Sequence, residues 1–190
     1  LAKLIKASDI KKVITVDLHN PISSRLFELP VVNLLTTSIF EKIVKYKNGA
    51  IIIAPDIGAT SRAQALANLL EIQFIVAKKE RTKSGNIKII DIPKLSTITG
   101  QDCYLVDDIL DTGKTICAVA KELEKFKPKS VCALISHGIF ERGALQAIDE
   151  SCINQIYVTD SVNCSSIKYS NLYVVKLGSM IANFLKNNEE

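Results

Sequence analysis

Three carboxylates fall within five residues in the stretch Tyr104–Leu105–Val106–Asp107–Asp108–Ile109–Leu110–Asp111–Thr112–Gly113–Lys114–Thr115. Adjacent acids of this kind suit the hydroxyls of a sugar or a magnesium ion. The Thr/Gly turn behind them opens a stretch of helical periodicity. It therefore predicts a helix N-terminus whose free N–H groups and positive dipole end suit a phosphate. A plain helix cap needs one acid or threonine, and this segment carries three acids and two threonines. Gly113–Lys114–Thr115 mimics the end of a P-loop, but the first glycine of that motif would fall at Asp108, whose carboxylate repels phosphate. A P-loop is excluded.

Three further polar clusters follow apolar runs: Asp17–Leu18–His19, Pro55–Asp56–Ile57–Gly58 and Lys78–Lys79–Glu80–Arg81. Each has a plain reading. His19 is a turn histidine before Pro21, Asp56 an N-cap ahead of a helix over Gly58–Leu70, and Lys78–Lys83 a solvated basic run. Arg62 reads as an anion contact or as a partner for an acid on its own helix. His137 reads as a packing or hydrogen-bonding residue.

The elements that must hold these clusters alternate. Short apolar runs at Val13–Val16, Ile51–Ala54, Phe74–Ala77, Tyr104–Val106, Val131–Ile135, Ile156–Val158 and Tyr173–Val175 read as buried parallel strands. Between them, Ala59, Ala63, Leu66, Ala67 and Leu70 share one helical face, as do Ile116, Val119, Ala120, Leu123 and Phe126. Lys127–Pro128 stops the second helix. The pattern predicts an α/β protein, a parallel sheet with helices on both faces. Ile87–Ile92 departs from it and reads as an arm of a small antiparallel hairpin or an edge strand. Ligands of such sheets bind at the carboxyl ends of the strands, where the four polar clusters fall.

Composition narrows the function classes. The 190 residues are 47% hydrophobic and 23% charged, enough for a packed core. No apolar run approaches the ~20 residues of a membrane span. A net charge of +4 suits small anionic ligands and does not require nucleic acid. Five cysteines without a C-x-x-C spacing predict free thiols in a reducing cytoplasm, with no disulfide framework and no zinc site.

With these residues in view, the chain resembles the phosphoribosyltransferase fold family and, more narrowly, the ribose-phosphate pyrophosphokinase family. The first resemblance rests on the loop Asp107–Thr115. The second adds Val16–His19, Pro55–Arg62, Lys79–Glu80–Arg81 and Ser136–His137, in the family's order and spacing. Two departures stand out. Lys114 replaces a near-uniform family glycine, and the family's N-terminal ATP contacts have no counterpart. The resemblance therefore implies residues 1–34 as the remnant of an N-terminal phosphoribosyltransferase-like domain and 35–190 as the C-terminal domain with its terminal helix.

The resemblance also implies roles. His19 and Asp56 would hold the Mg2+ of Mg-ATP. Lys79 and Arg81 would lie in a mobile loop and close on the phosphates, arriving late enough to favour the transition state. Asp107 and Asp108 would face the ribose hydroxyls, Asp111 the reacting end of the sugar, and Thr112, Gly113, Lys114 and Thr115 the 5-phosphate. Lys114 would strain the loop if its φ were positive. The implied reaction takes ATP and ribose 5-phosphate to AMP and phosphoribosyl pyrophosphate in a homo-oligomer. The alternatives are a purine or pyrimidine phosphoribosyltransferase and a non-catalytic truncated paralogue acting as a regulatory or assembly subunit.

Overall fold

The computed structural model describes residues 2–44, 49–81, 87–93 and 97–188. The chain divides into two compact units, 1–36 and 37–190.

In the first unit, helix α1 (Ala2–Ala7) precedes two parallel strands, β1 (Val13–Val16) and β2 (Val31–Leu34), joined through a 3-10 turn over Pro21–Phe27. The Asn20 side chain caps that turn by accepting from the Ile22 N–H at 3.0 Å. Asp17 follows β1 with a φ of 39°, a left-handed conformation that aspartate tolerates better than most residues. It is buried, and its Oδ2 accepts from the Thr36 hydroxyl at 2.5 Å and the Thr36 N–H at 3.3 Å.

The second unit opens with α2 (Thr37–Phe40), β3 (Ala50–Ala54), α3 (Thr60–Leu70) and β4 (Phe74–Val76). An antiparallel hairpin follows, β5 (Lys78–Arg81) with β6 (Ile87–Asp91). The chain continues through β7 (Asp102–Leu110), α4 (Lys114–Glu124), β8 (Ser130–Gly138), α5 (Ala144–Asp149), β9 (Gln155–Thr159), β10 (Leu172–Val175) and α6 (Gly178–Lys186). Six strands form one parallel sheet in the order β10-β9-β8-β7-β3-β4.

Alternation along the central strands sorts the core. Ile51 and Ile53 of β3, Leu105 of β7 and Ala133 and Ile135 of β8 pack with Ile116, Val119, Ala120 and Leu123 of α4 in one buried cluster. The intervening Ile52 is fully buried, and α3 packs against β3, β4 and β7 with Ala63, Leu66, Ala67 and Leu70 buried. Helices on both faces force the strands to be apolar throughout, which is the signal the sequence carries.

Two boundaries differ from the sequence reading. β7 and β8 run past Val106 and Ile135, with Asp107 opposite Ile135, Ile109 opposite His137 and Leu110 opposite Gly138. Asp107 and Asp108 are thus strand residues rather than the loop behind a strand. Lys79 and Arg81 were expected in a mobile loop, and Lys78–Arg81 forms a strand paired with Ile87–Asp91 instead. Paired backbone groups there outweigh the polar composition that reads as loop.

Candidate active site

The carboxyl edge of the large sheet collects the polar residues of the second unit. β3 ends at Ala54, and Asp56 turns the chain into a 3-10 turn (Ile57–Ala59) that leads into α3. Asp56 Oδ1 caps that turn, accepting from the Ala59 N–H at 3.2 Å. Its Oδ2 pairs with the Lys79 ammonium from β5. Asp56 is therefore both the cap of the plain reading and an ion-pair partner. The backbone of Arg81 pairs with Ile87, and its side chain lies outside the described part of the structure.

Arg62, on the first turn of α3, reaches across to the acids of β7. Its Nη2 is 2.9 Å from Asp108 Oδ2 and its Nη1 3.6 Å from Asp107 Oδ1. Nη1 also donates to the Gly58 carbonyl at 3.4 Å, and Nε is shut off from solvent without an acceptor among the described residues. Rather than an acid on its own helix, the guanidinium meets the paired carboxylates of β7. The sequence signals for it are its place four residues after Gly58 and the Pro55–Arg62 segment, and neither names its partners.

Burial and charge act on the acidic pair together. Burial pushes the Asp107 carboxyl up to about 7, and the neighbouring charge of Asp108 and, more weakly, that of Asp56 push in the same direction. Asp108 is buried at 2% exposure. Adjacent carboxylates in so dry a setting cannot both ionise freely without a cation beside them.

Beyond Leu110 the chain turns at exposed Asp111 into α4. The cap position is Gly113, with φ 72°, and no side chain caps the helix. Neither Asp111 nor Thr112 takes the capping role of the plain reading. The first N–H groups of α4 are thus free of side-chain competition for a phosphate. Lys114 opens α4 outside the left-handed region, so the strain expected of it is absent; the positive φ falls on Gly113. Its exposed side chain borders a groove of about 420 Å³ between α4 and α5, with Cys117, Lys121 and Glu150. Thr115 is half-buried on the same first turn.

His19 belongs to the first unit, exposed in the turn after β1, whereas Asp56 belongs to the second. His137 lies in β8, and its Nδ1 is 2.8 Å from Ser161 Oγ, in keeping with a hydrogen-bonding role. All five cysteines are free. Burial drives the Cys103 thiol up to about 12 and that of Cys117 to about 11, so neither is a nucleophile near neutral pH. No helix among the described residues is long and apolar enough to cross a membrane.

A parallel sheet with paired acids near the end of a central strand and an uncapped, glycine-opened helix behind them defines an α/β protein with polar residues gathered at its carboxyl edge. The chain belongs to the phosphoribosyl transferase domain family, whose model matches residues 3–163. It is similar to the ribose-phosphate pyrophosphokinase of Mesorhizobium japonicum, 32% identical over 85% of this chain and 53% of the relative. That of Chromobacterium violaceum is 30% identical over the whole chain and 59% of the relative. The chain thus spans between half and three-fifths of the length of these relatives. Its fold is that of phosphoribosylpyrophosphate synthetase from Mycobacterium smegmatis, with a TM-score of 0.83 and 23% identity over 97% of this chain and 61% of that one.

Proposed function

We propose that this chain carries the ribose 5-phosphate side of a ribose-phosphate pyrophosphokinase, with residues 1–34 continuous with an N-terminal domain of the same kind. The observation that carries the reading is the succession along one edge of Asp107, Asp108 and the uncapped N-terminus of α4 at Gly113. Two acids accept from sugar hydroxyls, and backbone N–H groups one turn further on donate to the 5-phosphate. The relatives' name, ribose-phosphate pyrophosphokinase, supports the reaction proposed here, transfer of pyrophosphate from ATP to the anomeric hydroxyl with release of AMP.

In this reading Asp107 and Asp108 orient the ribose, and Asp111 lies toward its anomeric end. Thr112, Gly113, Lys114 and Thr115 hold the phosphate. The attacking group belongs to the sugar, so no protein nucleophile is required. Lys79 and Arg81 neutralise charge that grows on the phosphoryl oxygens during transfer.

Mg2+ fits the donor chemistry here, because it is held by one or two carboxylates together with substrate phosphates rather than by a protein cage. Asp56 offers a hard oxygen for it. When bound it would neutralise and orient the ATP phosphates. Asp56 Oδ2 already pairs with the Lys79 ammonium, so a cation there competes with that ammonium for the carboxylate. The free thiols support the cytoplasmic location proposed here, and the family supports assembly as a homo-oligomer.

The test is direct. Purified protein is given ATP, Mg2+ and ribose 5-phosphate, and AMP is measured. AMP release dependent on ribose 5-phosphate supports the reading. Pyrophosphate release from phosphoribosyl pyrophosphate that depends on a purine or pyrimidine base makes the protein a phosphoribosyltransferase instead. Binding of ribose 5-phosphate without either turnover makes the chain a non-catalytic relative.

A further inference from the structure

We propose that Arg62 is the positioning residue of the acidic pair, its two-pronged guanidinium fixing Asp107 and Asp108 in the arrangement that accepts sugar hydroxyls. The inference deepens the reading of this edge as a ribose 5-phosphate site and rests on it. Neighbouring strand residues ordinarily project to opposite faces of a sheet, yet both carboxylates meet one guanidinium, at 2.9 Å from Asp108 and 3.6 Å from Asp107. Like charges so close repel, and burial magnifies that repulsion. A cation that reaches both offsets that repulsion and holds them together.

Arg62 is itself held. It stands on the first turn of α3, its Nη1 tied to the Gly58 carbonyl, and its side chain is only 11% exposed. The fork is therefore referenced to the turn between β3 and α3, which also carries Asp56. Gly58 has Asp56 Oδ1 3.1 Å from where a Cβ would stand, so the turn and its acid are closely fitted. A staple between α3 and β7 would need one carboxylate. Here the fork spans two and leaves Nε buried without an acceptor among the described residues. Lysine cannot substitute, because one ammonium cannot present two separated donors in a fixed plane.

The experiment measures affinity by calorimetry for two ligands. Ribose 5-phosphate carries the hydroxyls; tetrahydrofurfuryl phosphate keeps a ring and the phosphate and lacks them. Wild type, Arg62→Gln and Arg62→Lys are compared, with thermal melts of each. The expected result is a wild-type preference for ribose 5-phosphate that falls about tenfold in Arg62→Gln through loss of affinity for ribose 5-phosphate alone. Arg62→Lys should lose about threefold or more of the preference while keeping its melting temperature closer to wild type. A preference unchanged in a folded variant, or parallel weakening of both ligands, overturns the role of Arg62. Should Arg62→Gln fail to fold, Arg62→Lys decides by the same criterion. A wild type that does not distinguish the two ligands overturns the sugar-site reading itself, and the role of Arg62 with it.

Discussion

Lys79 and Asp56, 23 residues apart in the chain, form an ion pair at the carboxyl edge of the sheet, with about a fifth of each side chain exposed. The cation proposed to meet phosphoryl charge thus occupies the carboxylate proposed to meet the metal. The two roles compete until phosphate and metal arrive together. Lys79→Met removes the competitor, so it should tighten Mn2+ binding to the ligand-free protein several-fold, read by electron paramagnetic resonance. In turnover assays the same variant should lower kcat by roughly 10²-fold with a smaller change in KM. Unchanged Mn2+ affinity would remove Asp56 from the metal ligands. An unchanged kcat would remove Lys79 from the chemistry.

The Asp107 carboxyl, pushed up to about 7, makes a prediction for stability. An unfolded aspartate titrates near 3.9. Below about pH 4 both states hold the proton and nothing is lost. Between about 4 and 7 only the folded state keeps it, so stability falls as pH rises through that window and stays reduced above it. Asp107→Asn abolishes this titration, while Arg62 keeps its closer partner, Asp108. The variant should therefore melt several degrees above wild type at pH 8 and close to wild type at pH 4, without metal or ligand. A difference that grows toward acid would show that the sign is wrong.

Much of this site was legible in the sequence, and the limits have physical causes. Fully buried parallel strands announce themselves as apolar runs, so the sheet could be read from Ile51–Ala54 and Val131–Ile135. Asp107 and Asp108 concealed the end of β7 because charge reads as loop. Their neutralisation comes from Arg62, 45 and 46 positions upstream, and no local pattern carries such a partnership. Lys78–Arg81 reads as a loop for a related reason. Its pairing partner, Ile87–Asp91, supplies the order that its own composition does not.

Asp17 tests the first unit separately. Its carboxylate joins the end of β1 to Thr36, just beyond β2, from a buried, left-handed position. Asp17→Ala removes an acceptor of the buried Thr36 hydroxyl and N–H, at a cost of about 1 kcal/mol or more to this unit. Hydrogen exchange should show faster exchange at the amides of Val13–Val16 and unchanged protection in β7 and β8. Equal loss of protection in both places would mean that the two units do not open independently.

The phosphate end of the site separates two neighbours that the sequence could not. At Gly113, with φ 72°, a Cβ would meet nothing nearer than 3.7 Å, so the burden of Gly113→Ala is conformational rather than steric. A left-handed alanine costs about 1–2 kcal/mol, which lowers the melting temperature by roughly 2–8 °C in a chain of this size. Binding of ribose 5-phosphate should weaken as the turn relaxes away from its αL geometry. Lys114 is the opposite case. It opens α4 without left-handed backbone, so Lys114→Gly has no strain to relieve and loses up to about 1 kcal/mol of helix propensity. Affinity for ribose 5-phosphate in Lys114→Gly should be equal to or weaker than wild type, measured at two salt concentrations. Weakening with a flatter salt dependence would make the ammonium a phosphate ligand in its own right. Tighter binding in Lys114→Gly would instead mean that the side chain keeps the phosphate at a distance, against the backbone geometry of α4.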